Sequence, residues 1–228
     1  MRRVLIATPT YNGQVYAAFT HALAQTVRIN LEKGLGYDIR DYYPRGKVIH
    51  EARNDCVAQA MRNDFDDLIW IDADQDWQPE WFFELLAYPV DCVGAAVRKK
   101  TDETEVYNVY CPNGPGSIVS DPATGLWTAD GMAVGCGFLR MSRKAMQRLW
   151  NASQPCLDAA GEELRWIYDY TIFDGRVVGE DTIACIGLRA LGIPTWLAPH
   201  MNPGHHDGMK RYVGDFADWL ARTRPAAA

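Results

Sequence analysis

In Asp67-Leu68-Ile69-Trp70-Ile71-Asp72-Ala73-Asp74-Gln75-Asp76-Trp77 an apolar run stops abruptly at three aspartates on alternate positions. A short run rich in Ile, Leu and Trp predicts a buried strand. Open α/β sheets place their ligands at the carboxyl ends of such strands. Three carboxylates within five residues repel one another unless a cation or a solvated loop screens them. One reading is a hard divalent cation bound by Asp72 and Asp74, holding a phosphate-bearing substrate. The plainer reading is a solvated strand-to-helix turn with one Asp as its N-cap.

Working outward, residues 4–7 predict another buried strand, ended by the turn Thr8-Pro9-Thr10-Tyr11-Asn12-Gly13. Apolar positions at helical spacing predict helices over 14–33, closed by Gly34, and over 48–62. Residues 37–43 alternate as a strand does. A helix over 79–86 opens on Pro79, as first helical turns often do. Residues 90–97 predict a further strand. This alternation of strand and helix over the first hundred residues indicates a mostly parallel α/β sheet.

The second half differs. Shorter strands are predicted at 107–111, 125–128, 138–141 and 195–198, with helices at 143–151, 181–191 and 213–222 and a frayed end at 226–228. No internal repeat, low-complexity block or linker interrupts the chain. One domain spanning 1–228 is expected, with a nucleotide-binding half (1–100) and a mixed acceptor half (101–228).

Bulk composition narrows the class. The chain has 228 residues, 48% hydrophobic and 23% charged, ordinary values for a globular protein. A formal charge of −6 and a pI near 5.4 argue against a generally basic nucleic-acid binder, though Arg98-Lys99-Lys100 is a candidate local patch. The six cysteines are evenly spread with no Cys-x-x-Cys pair, which favours a reducing cytoplasm over a disulfide scaffold. No apolar stretch approaches membrane-spanning length.

Five further segments carry candidate chemistry. The turn at 8–13 lacks the glycines of a dinucleotide or phosphate-cradling loop, so a nucleotide there would use backbone groups and the Tyr11 ring. In Ile49-His50-Glu51-Ala52-Arg53-Asn54-Asp55, Arg53 can meet a phosphate or carboxylate bidentately, or form a surface pair with Glu51 or Asp55. Gly131, Gly135 and Gly137 offer close backbone approach, unusual torsions or a bulge. Glu180-Asp181 stands at a helix start, where an acid serves as N-cap or as a general base. Three of the chain's five histidines, His200, His205 and His206, fall in one late loop, and one of them can complete a metal site begun by aspartates elsewhere.

Taken in order, these segments resemble a nucleotide-sugar glycosyltransferase of the GT-A fold, α/β with a Rossmann-like mixed sheet. The resemblance spans residues 4 to about 214 and is nearest to small single-domain enzymes of this fold, phage-encoded ones among them. It implies that Thr8, Pro9 and Tyr11 lie along the nucleoside and that Arg53 sits near the nucleotide. Asp72 would face ribose or metal, and Asp74 would ligate Mn²⁺ or Mg²⁺. His206 would be the late metal ligand, with His205 its close competitor. Asp181 would be the catalytic base of an inverting transfer, with Glu180 beside it near the acceptor. Gly137 and Phe138 would shape the donor-sugar pocket. The implied donor is a nucleotide-sugar, UDP-sugar foremost. The acceptor is a glycan or hydroxymethylpyrimidine DNA. The third aspartate, Asp76, departs from the pattern and leaves open which pair holds the metal.

Two other classes compete. A haloacid-dehalogenase-like phosphatase also follows an apolar strand with Asp-x-Asp, but Gln75-Asp76-Trp77 replaces the Thr or Val it needs. A non-catalytic nucleotide- or sugar-binding module would bind UDP with metal and release none from a donor. An EF-hand is rejected, because Trp77 and Phe83 stand where its Gly and Glu belong.

Overall fold

The computed structural model describes residues 1–173 and 175–223; the predicted frayed end at 226–228 lies outside them. Strands β1 (Arg2–Ala7), β2 (Tyr37–Tyr42) and β3 (Asp67–Ile71) are all parallel, with β1 between the other two. Helix α1 (Ala17–Glu32) connects β1 to β2, and α2 (Ile49–Arg62) carries the chain back past β1 to β3. The winding direction therefore reverses between β1 and β3. That switch point opens a crevice at the strand carboxyl ends.

Beyond β3 the sheet becomes mixed. The strand Phe138–Ser142 pairs antiparallel with β3, and β5 (Cys92–Gly94) pairs antiparallel with it in turn. Short strands Trp196–Leu197, Trp127–Thr128 and Val119–Ser120 complete an eight-stranded sheet drawn from both halves of the chain. A two-residue strand, β4 (Gln75–Asp76), leaves this sheet and pairs with Gly204–Asp207.

Strand alternation explains the layering. Val4, Ile6, Ile69 and Ile71 point to one face, where they meet Phe19 of α1 and Phe82, Leu85 and Leu86 of α3 (Pro79–Ala87). Leu5, Ala7, Leu68 and Trp70 point to the other. There they meet α2, α4 (Arg143–Ala152) and α5 (Glu180–Ala190). With helices on both faces, every residue of β3 is buried, and it reads as a continuous apolar run. Its one charged residue, Asp67, lies at the end remote from the aspartate turn. There Arg2 and Arg140 each approach its carboxylate to 2.6 Å.

The structure departs from the sequence reading in definite places. Helix α1 starts at Ala17 because the backbone before it is otherwise engaged. The Gln14 N–H donates to the Asn12 side chain at 3.0 Å and the Tyr16 N–H to the Ala73 carbonyl at 2.9 Å. The strand at 90–97 shortens to Cys92–Gly94, and Val97 instead exchanges hydrogen bonds with Asn108. The last helix, α6 (Phe216–Thr223), begins at Phe216, whose N–H donates to Asn202 Oδ1 at 3.0 Å. Three antiparallel pairs had no periodic signal: Gln154–Leu157 with Glu163–Trp166, Thr171–Phe173 with Arg176–Val178, and Gly204–Asp207 with Lys210–Tyr212. Among the described residues no helix is long and apolar enough to cross a membrane, and all six cysteines are free.

Candidate functional site

The turn after β3 is held through its backbone. Asp72 N–H donates to the Gly137 carbonyl at 3.2 Å, Gln75 N–H to the Asp72 carbonyl at 3.1 Å, and His206 N–H to the Asp74 carbonyl at 2.7 Å. The Ala73 carbonyl accepts from Tyr16. So fixed, the turn forms one wall of a cavity of about 710 Å³ at the switch point. Pro9, Asn12, Tyr16, Arg53, Asp72 and Asp74 line it. Its size is that of small-molecule sites generally.

Each of the three aspartates has its own cationic partner. Arg53 Nη2 lies 3.3 Å from Asp72 Oδ1. Asp74 Oδ2 is contacted by the Lys100 ammonium and lies 3.4 Å from His205 Nε2. Asp76 is gripped by a two-pronged Arg211 fork, both contacts 2.7 Å, and by His206 Nε2 at 2.7 Å. Burial raises the Asp72 carboxyl above the usual carboxylate range, and Arg53 only partly offsets it. Burial also acts against ionised Asp74, but hydrogen bonds from His205 and Lys100 outweigh it and hold the group low. Asp76 is likewise partly buried, yet Arg211 and His206 bring it down to about 2.

Arg53 joins the early and late parts of the site. It is 4% exposed, and its Nε donates to Glu180 Oε1 at 3.1 Å, 127 residues further on. Its guanidinium also stacks over Trp70 at 5.3 Å. The neighbouring Asn54 docks the segment before α5: its Oδ1 accepts from Ile167 and Tyr168 N–H, both at 2.9 Å. Arg53 therefore does not pair at the surface with Glu51 or Asp55; two site carboxylates hold it in the interior.

At the start of α5 the cap position is Gly179, so neither acid acts as N-cap. Glu180 is buried against Arg53, and Asp181 is half-buried with Oδ1 accepting from Thr182 N–H at 2.7 Å. The alternate glycines make room for these side chains. A Cβ on Gly135 would lie 2.9 Å from Asp181 Oδ2 and 2.6 Å from Asn108 Nδ2. One on Gly137 would lie 2.2 Å from Gln75 Nε2. Gly131 alone of the three uses the left-handed region, at φ +75°.

The two late histidines point opposite ways, as neighbours on a strand must. His206 faces Asp76 and Arg211. His205 faces Asp74, and its Nδ1 lies 2.9 Å from the Arg98 carbonyl. A carbonyl only accepts, so Nδ1 donates to it, and Nε2 is the ring nitrogen turned to Asp74 Oδ2, 3.4 Å away. It donates there when it carries a proton and would present its lone pair to a cation when it does not.

The residues expected along a nucleoside divide. Pro9 lines the main cavity, while Tyr11 is 75% exposed beside a smaller one of about 300 Å³ that Pro9 and Ile49 share with the first. Thr8 is wholly buried and its hydroxyl has no partner. Sequence reasoning missed Lys100 on Asp74, Arg211 on Asp76, and Asn108 beside Asp181. The sequence groups Lys100 with a surface patch, but Arg98 donates to the Val213 carbonyl and Lys100 turns inward to Asp74.

A divalent cation can be tested against this donor set. Among the described residues no three His, Cys, Asp or Glu side chains gather as a ready-made metal site. The turn does offer Asp74 Oδ2 with His205 Nε2 3.4 Å from it, and Asp74 Oδ1 is buried with no hydrogen-bond partner. Mg²⁺-like ions take one or two carboxylates and complete their shell with water and substrate phosphates, and these groups fit so open a site.

Neither a family model nor a curated protein matches the sequence. Among solved structures the fold resembles A197 from STIV, with a TM-score of 0.51 at 15% identity, covering 91% of this chain and 86% of that one. Weaker likenesses include a Bacillus anthracis protein described as a glucose-1-phosphate thymidylyltransferase in complex with a sucrose (TM-score 0.39, 10% identity, 100% and 97% covered). Another is mannose-1-phosphate geranyltransferase from Thermus thermophilus (TM-score 0.36, 15% identity, 68% and 66% covered). The mixed α/β fold is thus shared with A197 across most of both chains.

Proposed function

We propose that this chain is a metal-dependent glycosyltransferase of the GT-A type, moving a sugar from a nucleotide-sugar, UDP-sugar foremost, to an acceptor hydroxyl with inversion. The observation that carries the reading is the shared grip on Arg53. Asp72 of the acidic turn and Glu180 of the α5 start converge on one buried guanidinium at the switch-point cavity. A solvated turn with an N-cap Asp gives no reason for that convergence.

In this reading Asp74, His205 and Asp72 would hold Mn²⁺ or Mg²⁺ together with the donor diphosphate. Bound there, the cation would neutralise the charge that develops on the leaving nucleoside diphosphate. The chain's own groups do the rest. Arg53 keeps Asp72 and Glu180 in place, and Pro9 and Tyr11 flank the nucleoside. Glu180 is taken up by Arg53, so Asp181 is the base. It accepts the acceptor's hydroxyl proton as that oxygen bonds to the anomeric carbon and the carbon–phosphate oxygen bond breaks. His206 serves Asp76, so His205 is the late ligand.

A screen for metal-dependent UDP release tests this, using several UDP-sugars with hydroxymethylated duplex DNA and simple glycans as acceptors. Release in at least one pairing, abolished by Asp74→Ala, is expected. Full activity in Asp74→Ala would reject the metal assignment. UDP binding without release in any pairing would identify a binding module instead, and product analysis showing retained configuration would overturn the inverting role of Asp181.

A further inference from the structure

We propose that Lys100 is a built-in counter-cation that occupies Asp74 until a divalent ion displaces it, and that the freed ammonium then pairs with the incoming diphosphate. The inference rests on the glycosyltransferase reading for the identity of the metal and the diphosphate. Its own basis is the geometry of the segment around Lys100.

The segment at 98–102 is anchored on both sides of Lys100. Arg98 binds the Val213 carbonyl through its side chain at 2.9 Å and orients His205 through its own carbonyl. Lys99 N–H donates to the Val106 carbonyl at 2.8 Å, and Asp102 pairs with Lys210. Between these anchors, one long flexible side chain delivers a single ammonium to Asp74 Oδ2. The pair is 28% and 24% exposed, so water still reaches it and screens it in part. Its position matters more than its strength. Asp74 Oδ2 is the oxygen nearest His205 Nε2, where a cation shared by both ligands would sit. An ammonium there repels a divalent ion, and the two exclude each other.

The other cations of the site cannot play this part. Arg53 is buried between two carboxylates, and Arg211 forks onto Asp76. Lys100 makes one contact and has a four-carbon stem that can swing. Metal entry therefore costs the Lys100–Asp74 pair, and a diphosphate arriving with the metal gives that ammonium a new partner. Metal and donor then bind better together than either does alone.

The test titrates wild type and Lys100→Met with Mn²⁺ alone, following free Mn²⁺ by electron paramagnetic resonance. Lys100→Met should bind Mn²⁺ on the order of tenfold more tightly, because a neighbouring positive charge is gone. A merely structural lysine would give equal or weaker binding, and that result overturns the proposal. Lys100→Arg, which keeps the charge, should stay near wild type. Adding Asp74→Asn to Lys100→Met should abolish the gain; a gain that survives places the ion elsewhere and overturns the proposal. With UDP present the advantage of Lys100→Met should shrink, and an undiminished advantage overturns the hand-over to phosphate. If neither protein takes up Mn²⁺, the metal reading fails along with this one. If wild type binds and Lys100→Met gains nothing, only the role of Lys100 fails.

Discussion

Replacing Arg53 by Met should destabilise the fold by a predictable amount. The Arg53 and Glu180 side chains are 5% and 9% exposed and meet at 3.1 Å, so the substitution strands a buried carboxylate. Breaking a buried pair by removing one partner costs about 3–5 kcal/mol. Asp72, a third exposed, adds only a surface-scale loss of up to about 1 kcal/mol. Met replaces much of the apolar contact with Trp70 and keeps the packing loss small. A total near 4 kcal/mol, with a urea slope of about 2 kcal/mol per molar, lowers the unfolding midpoint by about 2 M. Tryptophan fluorescence follows the transition, since the chain holds eight Trp. The decisive measurement is the cycle with Glu180→Gln. Neutralising Glu180 should be costly in wild type and nearly neutral, or stabilising, in Arg53→Met. A midpoint within about 0.5 M of wild type, or equal costs of Glu180→Gln in both backgrounds, would refute the buried-pair argument.

Asp76 gives a prediction with a pH signature. Its carboxyl is held at about 2 by Arg211 and His206 against its partial burial. A depressed carboxyl stabilises the fold above its unfolded value near 3.9 and loses that contribution as pH falls through its folded value. Asp76→Asn should therefore cost about 1 kcal/mol at neutral pH, after discounting for the half-exposed Arg211, with the gap to wild type closing between about pH 4 and pH 2 in urea melts. Gly204→Ala should act on the same contact, because its Cβ would lie 2.4 Å from Arg211 Nε and 2.6 Å from Asp76 Oδ1. Combined with Asp76→Asn it should cost less than the sum of the two single changes, and strict additivity in the same melts would detach Gly204 from the fork. Asp181→Asn should lower kcat by roughly 10²–10⁴ while leaving UDP affinity within about twofold, as removal of a general base does; a loss confined to UDP binding would assign Asp181 to the donor.

Much of this arrangement could be read from the chain, and the limits have physical causes. The run Leu68 to Ile71 announced β3 because a strand covered on both faces has no polar side to blur its pattern. The same run placed the aspartates at a carboxyl end, beside the Thr8–Gly13 turn of the neighbouring strand. What the spacing did not supply was direction. Asp72, Asp74 and Asp76 look alike in sequence, yet a bond to the Gly137 carbonyl and bonds from Tyr16 and His206 set the turn so that each meets a different cation. His205 and His206 alternate by strand geometry, but which one faces Asp74 depends on the register of Gly204–Asp207 against β4. That register pairs residues more than a hundred positions apart, and no local pattern encodes it. Arg53 was visible as a candidate for phosphate or carboxylate; its partner in Glu180 was not, for the same reason.

The charge arrangement bears on what the cavity is for. Asp72 and Glu180 share Arg53, Asp74 has Lys100 and His205, and Asp76 has Arg211 and His206. The acidic turn is therefore compensated as it stands, and repulsion among its carboxylates does not by itself demand a metal. The unpaired atoms argue for a ligand instead. Arg53 Nη1 and Asp74 Oδ1 are both buried without a hydrogen-bond partner, and both residues line the same cavity. An unsatisfied buried polar group costs about 1–3 kcal/mol, more when charged, so two at one site weigh against a turn that serves only as a connection. One is a cationic donor and the other an anionic acceptor. A metal-bound diphosphate would answer both, because phosphate oxygens accept from the guanidinium while the cation takes the Asp74 carboxylate once Lys100 has left it. A neutral sugar could satisfy either atom through a hydroxyl but would give neither the charge-assisted bond that a phosphate oxygen or a cation gives. The pairing of opposite orphans is thus a reason to test Mn²⁺ and UDP together, and the affinity each adds to the other measures how far the two atoms act as one site.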